Sequence, residues 1–322
     1  MKKLSLTALL CTLILFCGCS SKRAMHTPQS SASGAHTETE SGTSAATEEK
    51  PAETTVLSDS AADPAGDSAA GGAIGNGFLW SFSGGTLTIS GDGEMPDFDH
   101  PIEDDTITTP WYPFRDEIRN VVFSGRPTRI GNYTFRRCRS LTAVELPDSV
   151  TYVGGGTFME CTALTSVNLP DSITVIAYDA FRECTSLTEI TLPMHLTKII
   201  NGTFSDCTSL VRCIMPNTLT SIGAGAFQNC TGIQTFELPG ALTEFESYAL
   251  RGCSRLKYIH IPHGIESLPS QLCSGCSELD RIVYDGTIAE WNAIEKDAFW
   301  LDDSVNPTVH CTDGKIPARP EE

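Results

Sequence analysis

A 23-residue repeat is the feature that most constrains this sequence. Residues 141–161 read LTAVELPDSVTYVGGGTFMEC, and the same skeleton returns as LTSVNLPDSITVIAYDAFREC and as LTEITLPMHLTKIINGTFSDC. Cysteine keeps this step through seven positions, which are Cys138, Cys161, Cys184, Cys207, Cys230, Cys253 and Cys276. Phenylalanine and proline recur with the same step. A fixed period of this length is typical of a solenoid, in which each unit buries its apolar side against its neighbours.

Two short strands are predicted within each repeat. Apolar residues two apart, such as Val144 and Leu146, place their side chains on one face of a strand. The proline that follows lacks an N–H and therefore ends the strand. After a second short strand, the segment with Phe and Cys is predicted to return the chain as a helical or 3-10 turn. The sequence thus predicts a repeat solenoid of short parallel β-strands.

The residues before the repeats are predicted to form a leader and a linker. Residues 1–19 combine Lys2 and Lys3 with a short apolar run and end at Cys19, as in a bacterial lipoprotein signal peptide. Cys19 would then carry the lipid, and plain secretion is the alternative. Residues 20–76 are rich in Ser, Thr, Ala and Glu, with almost no large apolar residue, and are predicted to be a disordered linker.

The repeats are predicted to lie between two caps. Residues 77–125 begin with alternating apolar residues around a Ser-Gly-Gly turn, which predicts a β-hairpin that covers the open end of the solenoid. Residues 126–283 hold the leucine-rich repeats. An amphipathic helix near Trp291 is predicted to cover the last repeat, in a C-terminal cap over 284–314. Residues 315–322 are predicted to be a frayed tail.

Three motifs together resemble a known family. The sequence is similar to BspA-type leucine-rich-repeat surface proteins of bacteria in three places. These are the repeat itself, LTSVNLPDSITVIAYDAFREC, the segment before the repeats, GTLTISGDGEMPD with PWY, and the segment after them, YDGTIAEW with VHCTDG. The resemblance covers about residues 78–314. It implies a right-handed superhelix with non-catalytic binding or adhesion, often to host or neighbouring-cell proteins. No residue motif for ligand contact follows from it.

The cysteines are interpreted as filling the interior. Thirteen cysteines in an exported protein favour disulfides in general. However, seven share one repeat position beside a buried Phe, and pairing of neighbours would leave one odd thiol. We therefore predict a ladder of reduced, inert thiols. The spacing of His260, His263, Cys273 and Cys276 suits zinc, but the repeat places the His and Cys pairs on different faces, so no metal site and no cofactor are predicted.

Candidate ligand-binding residues come from the positions that the repeat leaves variable. Outward strand positions differ between repeats while interior positions stay nearly constant, which indicates either selection for a ligand or neutral drift. Mixtures of aromatic, apolar and cationic side chains suit binding hot spots, and they concentrate toward the C-terminal repeats. The candidates are Glu189, Arg212, Ile214, Tyr258, His260 and Arg281.

The net charge and the absence of catalytic motifs argue against two classes of function, nucleic-acid binding and catalysis. The net charge of −18 disfavours nucleic acid, because the chain would repel phosphates. The sequence lacks GxSxG, HExxH, P-loop and dinucleotide-binding motifs, which argues against an enzyme. We therefore predict an exported, lipid-anchored surface module that binds a host or neighbouring-cell surface protein. A structural envelope component without a specific ligand and an enzyme with dispersed catalytic residues are the alternatives.

Overall fold

The described residues of the computed structural model are 69–99 and 108–319. The signal peptide predicted for residues 1–19, including Cys19, lies outside them, as does most of the predicted linker. Among the described residues, no helix is both long and apolar enough to cross a membrane.

Short strands dominate the fold. In chain order they are β1 (Ala70–Gly75), β2 (Phe78–Ser83), β3 (Thr86–Ser90), β4 (Gly93–Glu94), β5 (Asn120–Ser124), β6 (Pro127–Ile130), β7 (Ala143–Glu145), β8 (Tyr152–Val153), β9 (Ser166–Asn168), β10 (Val175–Ile176), β11 (Glu189–Thr191), β12 (Lys198–Ile199), β13 (Arg212–Ile214), β14 (Ser221–Ile222), β15 (Thr235–Glu237), β16 (Glu244–Phe245), β17 (Tyr258–Ile261), β18 (Ser267–Leu268), β19 (Arg281–Tyr284), β20 (Glu295–Lys296), β21 (Thr308–Cys311) and β22 (Gly314–Pro317). Within residues 69–99 and 108–319, helical structure is limited to a 3-10 turn at Tyr112–Phe114 and α1 (Ile288–Ala293).

The strands form a parallel β-solenoid of about eight turns, which confirms the predicted fold. Each coil contributes one strand to a first row, which runs from β5 through the odd-numbered strands to β21, and one to a second row, from β6 through the even-numbered strands to β20. Neighbours in a row are one repeat apart, as where Glu189 lies beside Arg212 and Tyr258 beside Arg281. The 23-residue period therefore sets the register.

The N-terminal strands continue this stacking. β2 and β3 form an antiparallel hairpin, and β3 then pairs in parallel with β5 of the first coil. β1 adds a further strand, so the folded part begins earlier than residue 77. The sequence did not predict this strand because the glycines of β1 have no side chains and give no alternating apolar pattern. They allow its backbone to approach β2 closely: a Cβ on Gly71 would lie 2.8 Å from the Trp80 carbonyl oxygen.

The return segments are not helical, contrary to the prediction. Each contains two residues four positions apart with φ between 53° and 73°, such as Gly156 and Glu160, whereas helices require negative φ. Bonds of the 3-10 type occur singly, as from the Cys161 N–H to the Phe158 carbonyl. Other N–H groups donate to the next coil instead: the Phe158 N–H donates to the Ala180 carbonyl at 2.8 Å. This pattern repeats in every coil and links the coils along the return segments.

The interior is a stack of identical side chains. Phe158, Phe181 and Phe204 are fully buried, with ring centroids 5.3 and 5.6 Å apart and nearly parallel planes. The stack extends to Phe135 on one side and Phe227 on the other. The seven ladder cysteines are also buried, each at most 1% exposed. Six of them donate their S–H to a carbonyl 26 residues earlier, as Cys184 does to Phe158 at 3.2 Å.

The C-terminal part extends the first row beyond the repeats. Thr287 caps α1, because its hydroxyl accepts the Glu290 N–H while the Glu290 carboxylate accepts the Thr287 N–H. This fixes the buried Trp291 beneath the last coil. β21 pairs with β19, and β22 pairs antiparallel with β21. Part of the predicted tail is therefore a strand, whose two-proline sequence gave no strand pattern.

Candidate functional site

The outward side chains of the first-row strands lie on one side of the coils, and we call this surface the first-row face. One line of side chains runs through Ala143, Ser166, Glu189, Arg212, Thr235, Tyr258, Arg281 and Thr308. A second line runs beside it through Glu145, Asn168, Thr191, Ile214, Glu237, His260, Val283 and His310. The six candidates from the sequence all lie on this face.

The structure separates these candidates into two groups. Glu189, Arg212 and Ile214 lie on β11 and β13, whereas the other three lie on β17 and β19. The Arg212 guanidinium and the Glu189 carboxylate are 3.9 Å apart and more than half exposed. Such a surface pair contributes at most about 1 kcal/mol to stability, so both groups are accessible to a ligand at little cost.

His260 is held by carboxylates of this chain. Its Nε2 lies 2.9 Å from Asp285 Oδ1, and its Nδ1 lies 3.6 Å from Glu237 Oε2. The neighbouring Tyr258 is half-buried, and burial together with the nearby Glu237 carboxylate raises the pKa of its hydroxyl. The tyrosine is therefore neutral near pH 7 and offers an aromatic face with a hydrogen-bonding group.

The first row opens between β13 and β15. These strands are not hydrogen-bonded, although β14 and β16 of the same two coils pair in register. A cleft of about 430 Å³ results. Cys213 on its floor is half-buried, whereas the equivalent Ile190 one coil earlier is 2% exposed. The next coil carries the larger Phe236 at this position, turned edge-on against Phe227 at 5.0 Å. This change from a small to a large side chain accompanies the break in pairing.

A second opening of about 670 Å³ extends over β5, β7, β9 and β11 and includes the unpaired junction between β9 and β11. The outward residues at that junction are polar: Ser166, Asn168, Glu189 and Thr191. The two openings therefore differ in chemistry, since the one between β13 and β15 is bordered by Val211 and Ile214 at the equivalent positions.

Val211, Thr308 and His310 lie on this face or beside it, and the repeat pattern singled out none of them. Val211 is 55% exposed and stands where Thr142, Thr165 and Thr188 stand in earlier repeats, so the departure from threonine was a usable signal. Thr308 and His310 gave no signal. They join the face because β21 pairs with β19 after an irregular connection, outside the 23-residue period.

The cysteines do not contribute to this face as reactive groups. Burial raises the pKa of ladder thiols such as Cys184 well above its ordinary value, which makes them poor nucleophiles. Cys273 is buried with Cys276, while His260 lies on the outward side between its carboxylates. No three metal-ligating side chains converge anywhere in the part of the chain that the structure describes. The redox state of the ladder stays a prediction.

One protein-family model matches the sequence, that of the "BspA type Leucine rich repeat region". Six copies of its repeat are found, over residues 111–212 and 175–306. Together these ranges cover more than half of the sequence. None of the curated proteins compared with the sequence matches it.

Solved structures that resemble this chain include three bacterial proteins. A leucine-rich repeat protein of T. pallidum is 23% identical, with 64% of this chain and 78% of that chain covered and a TM-score of 0.36. A leucine-rich cell surface protein of Faecalibacterium prausnitzii A2-165 is 18% identical, with 73% and 100% covered and a TM-score of 0.33. The pneumococcal vaccine antigen PcpA is 15% identical, with 66% and 87% covered and a TM-score of 0.34.

Proposed function

The chain belongs to the BspA-type leucine-rich-repeat family, and from this we propose that it is a non-catalytic cell-surface binding module. Its ligand is a protein or another macromolecule, bound on the first-row face. One observation carries the proposal: the interior of the coils repeats almost unchanged, while the two outward lines change residue type at nearly every coil. A fold that holds its backbone constant and varies only exposed side chains presents a surface suited to specific recognition.

Tyr258 and Arg281 are the strongest contact residues in this proposal. They lie side by side on β17 and β19. Tyrosine and arginine are enriched among hot spots, whose truncation costs about 2 kcal/mol or more in binding free energy. Arg281 makes no ion pair with another described residue within 4 Å, so its charge is available to a carboxylate of a partner.

The double substitution Tyr258→Ala with Arg281→Ala tests this site. The full chain is first screened against host and bacterial surface proteins, and any binder is then measured by biolayer interferometry. We expect the double variant to bind at least about 30-fold more weakly, because 2 kcal/mol corresponds to that factor. Lys198→Ala with Glu244→Ala, two exposed residues of the second-row strands β12 and β16, serves as the control and should bind like the wild type.

Two results would contradict the proposal. Equal affinity of the Tyr258 and Arg281 variant places the ligand elsewhere. The absence of any specific binder, together with envelope defects in a deletion strain, favours a structural component instead.

We also propose that the protein is exported and anchored by a lipid on Cys19. The support is the sequence alone: two lysines, a short apolar run and a small Gly18 before the cysteine. Replacing Cys19 with Ala should move the protein from the membrane fraction to the soluble fraction, as seen by fractionation and immunoblotting. Cys17→Ala is the matched control and should stay with membranes. Continued membrane retention of the Cys19 variant would exclude the anchor.

A further inference from the structure

We propose that the cleft between β13 and β15 binds an extended polypeptide segment of the partner. An apolar side chain of that segment enters the cleft, and its backbone pairs with the strand edges that border it. This proposal rests on the proposed function and makes it more specific, because it names the kind of ligand and the coil that receives it.

The border of the cleft is apolar where the three preceding repeats are polar. Val211 replaces a threonine and is 55% exposed. Ile214 replaces Thr191, Asn168 and Glu145 of the preceding coils. Each square ångström of apolar surface left in water costs roughly 25 cal/mol, so an exposed apolar strand beside an opened interior is unfavourable unless it is covered. A ligand with an apolar group would cover it.

The interior beneath this border is partly accessible. Cys213 and Met215 are half-buried on the floor, in line with residues that are buried in the coil before and the coil after. Phe236 and Leu238 form the opposite wall. The volume of about 430 Å³ falls within the range of ligand pockets and accommodates a few side chains, not a folded domain.

Backbone groups along the cleft favour a polypeptide over other apolar ligands. In regular coils the residue before each first-row strand donates to the preceding coil: the Lys257 N–H donates to Gln234, and the Val211 N–H donates to Thr188. Across the cleft, the Gln234 N–H has no such backbone acceptor among the described residues. An extended peptide supplies carbonyls and N–H groups at strand spacing, as in β-augmentation. An acyl chain supplies neither.

Charges at the rim agree with this choice. Arg212 stands on one side of the cleft and Glu237 on the other. Arg212 lies 3.9 Å from Glu189, and Glu237 lies 3.6 Å from His260 and also contacts the Tyr258 hydroxyl. A rim with one positive and one negative side chain suits a peptide whose apolar anchor is flanked by polar or charged residues. An anionic lipid would meet Glu237 unfavourably.

The polar opening between β9 and β11 provides a matched control. Val211→Asp with Ile214→Asp adds two charges beside the apolar cleft. Thr165→Asp with Asn168→Asp adds the same charges at the equivalent positions, two coils earlier, beside the polar opening. All four side chains lie at the surface or near it, so both variants should fold, which thermal unfolding checks.

The experiment uses the full chain and a displayed library of random linear peptides. Peptides selected on the wild type are synthesised and titrated against both variants. We expect Val211→Asp with Ile214→Asp to weaken binding at least about tenfold, or 1.4 kcal/mol, while the control variant binds like the wild type. Hydrogen exchange measured with bound peptide should show new protection of the Gln234 amide, which a purely side-chain contact would not produce.

Several outcomes would overturn the proposal. They are a library that yields no peptide sensitive to the cleft variant, binding without protection of Gln234, and competition by neutral phospholipid vesicles, which would indicate an acyl chain. Concentration-dependent dimerisation lost in the cleft variant would indicate a second copy of this chain. If a partner protein responds to Tyr258→Ala with Arg281→Ala but not to the cleft variant, the first-row site stands and the cleft proposal alone fails.

Discussion

Replacing Phe181 with alanine is expected to lower the free energy of unfolding by about 3–5 kcal/mol. Phe181 is fully buried between Phe158 and Phe204, with centroid distances of 5.3 and 5.6 Å. Its removal leaves a cavity in the middle of a stack whose rings are held in place by the coils on both sides. Because each coil contacts only its neighbours, a defect at one coil cannot be compensated by a distant part of the core.

Denaturant unfolding followed by circular dichroism measures this change. Phe299→Ala is the control, because Phe299 is 57% exposed and its loss should change stability by less than about 0.5 kcal/mol. A solenoid can also unfold in parts, so the unfolding slope is compared between variants. A loss below 1 kcal/mol for Phe181→Ala would show that the stacked rings are not the main packing contact of the interior.

The variant Glu160→Gln is expected to destabilise the protein by about 3 kcal/mol at pH 7, the lower end of the range for breaking a buried ion pair. One Glu160 oxygen accepts hydrogen bonds from Arg136 at 2.8 and 3.3 Å, and the other accepts one from Arg137 at 2.7 Å. The side chains of Glu160 and Arg136 are only 12% and 5% exposed. Loss of the negative charge leaves the desolvated arginine without its carboxylate.

Glu183 offers a matched control one repeat later. It has the same left-handed backbone conformation as Glu160, with φ of 60° against 62°. Its side chain is 40% exposed, and it lies 3.4 Å from an Arg182 that is equally exposed. Glu183→Gln should therefore change the free energy of unfolding by no more than about 0.5 kcal/mol. Similar losses in the two variants would contradict the buried ion-pair interpretation.

The effect of Glu160 should depend on pH. Burial by itself would raise the pKa of the Glu160 carboxyl, but hydrogen bonds from Arg137 and Arg136 outweigh it and lower the pKa below its ordinary value of 4.5. A carboxyl with a lowered pKa in the folded state stabilises the protein above its ordinary pKa, and this stability is lost as the pH falls through the folded-state pKa. The difference between wild type and Glu160→Gln should accordingly be full at pH 6 and shrink below pH 4.5. A difference that does not change with pH would contradict this.

The repeat made it possible to predict from the sequence which residues face the interior and which face outward. Val144 and Leu146 were predicted on the inner face, and both are buried. Outward residues such as Arg212 and Tyr258 were likewise placed correctly, because strand alternation fixes the side to which each residue points. The return segments were misread because Phe and Cys three apart fit a helical turn as well as they fit two tight turns. Only the left-handed backbone at residues such as Glu160 distinguishes them.

Other features depend on the tertiary structure for a physical reason. β1 and β22 are added by backbone hydrogen bonds, which carry no side-chain pattern. Glu160 and Arg136 come from neighbouring coils, and no local sequence pattern predicts that they form an ion pair.

The sequence by itself therefore determined the period, the interior and the residues that can face a ligand, because apolar spacing and strand alternation are local properties. Only the tertiary structure decided where the first row opens and which residues beyond the repeats complete its face. At the break between β13 and β15, Cys213 of one coil is followed by Phe236 of the next, which packs edge-on against Phe227. That three-body fit lies outside any pattern along the chain.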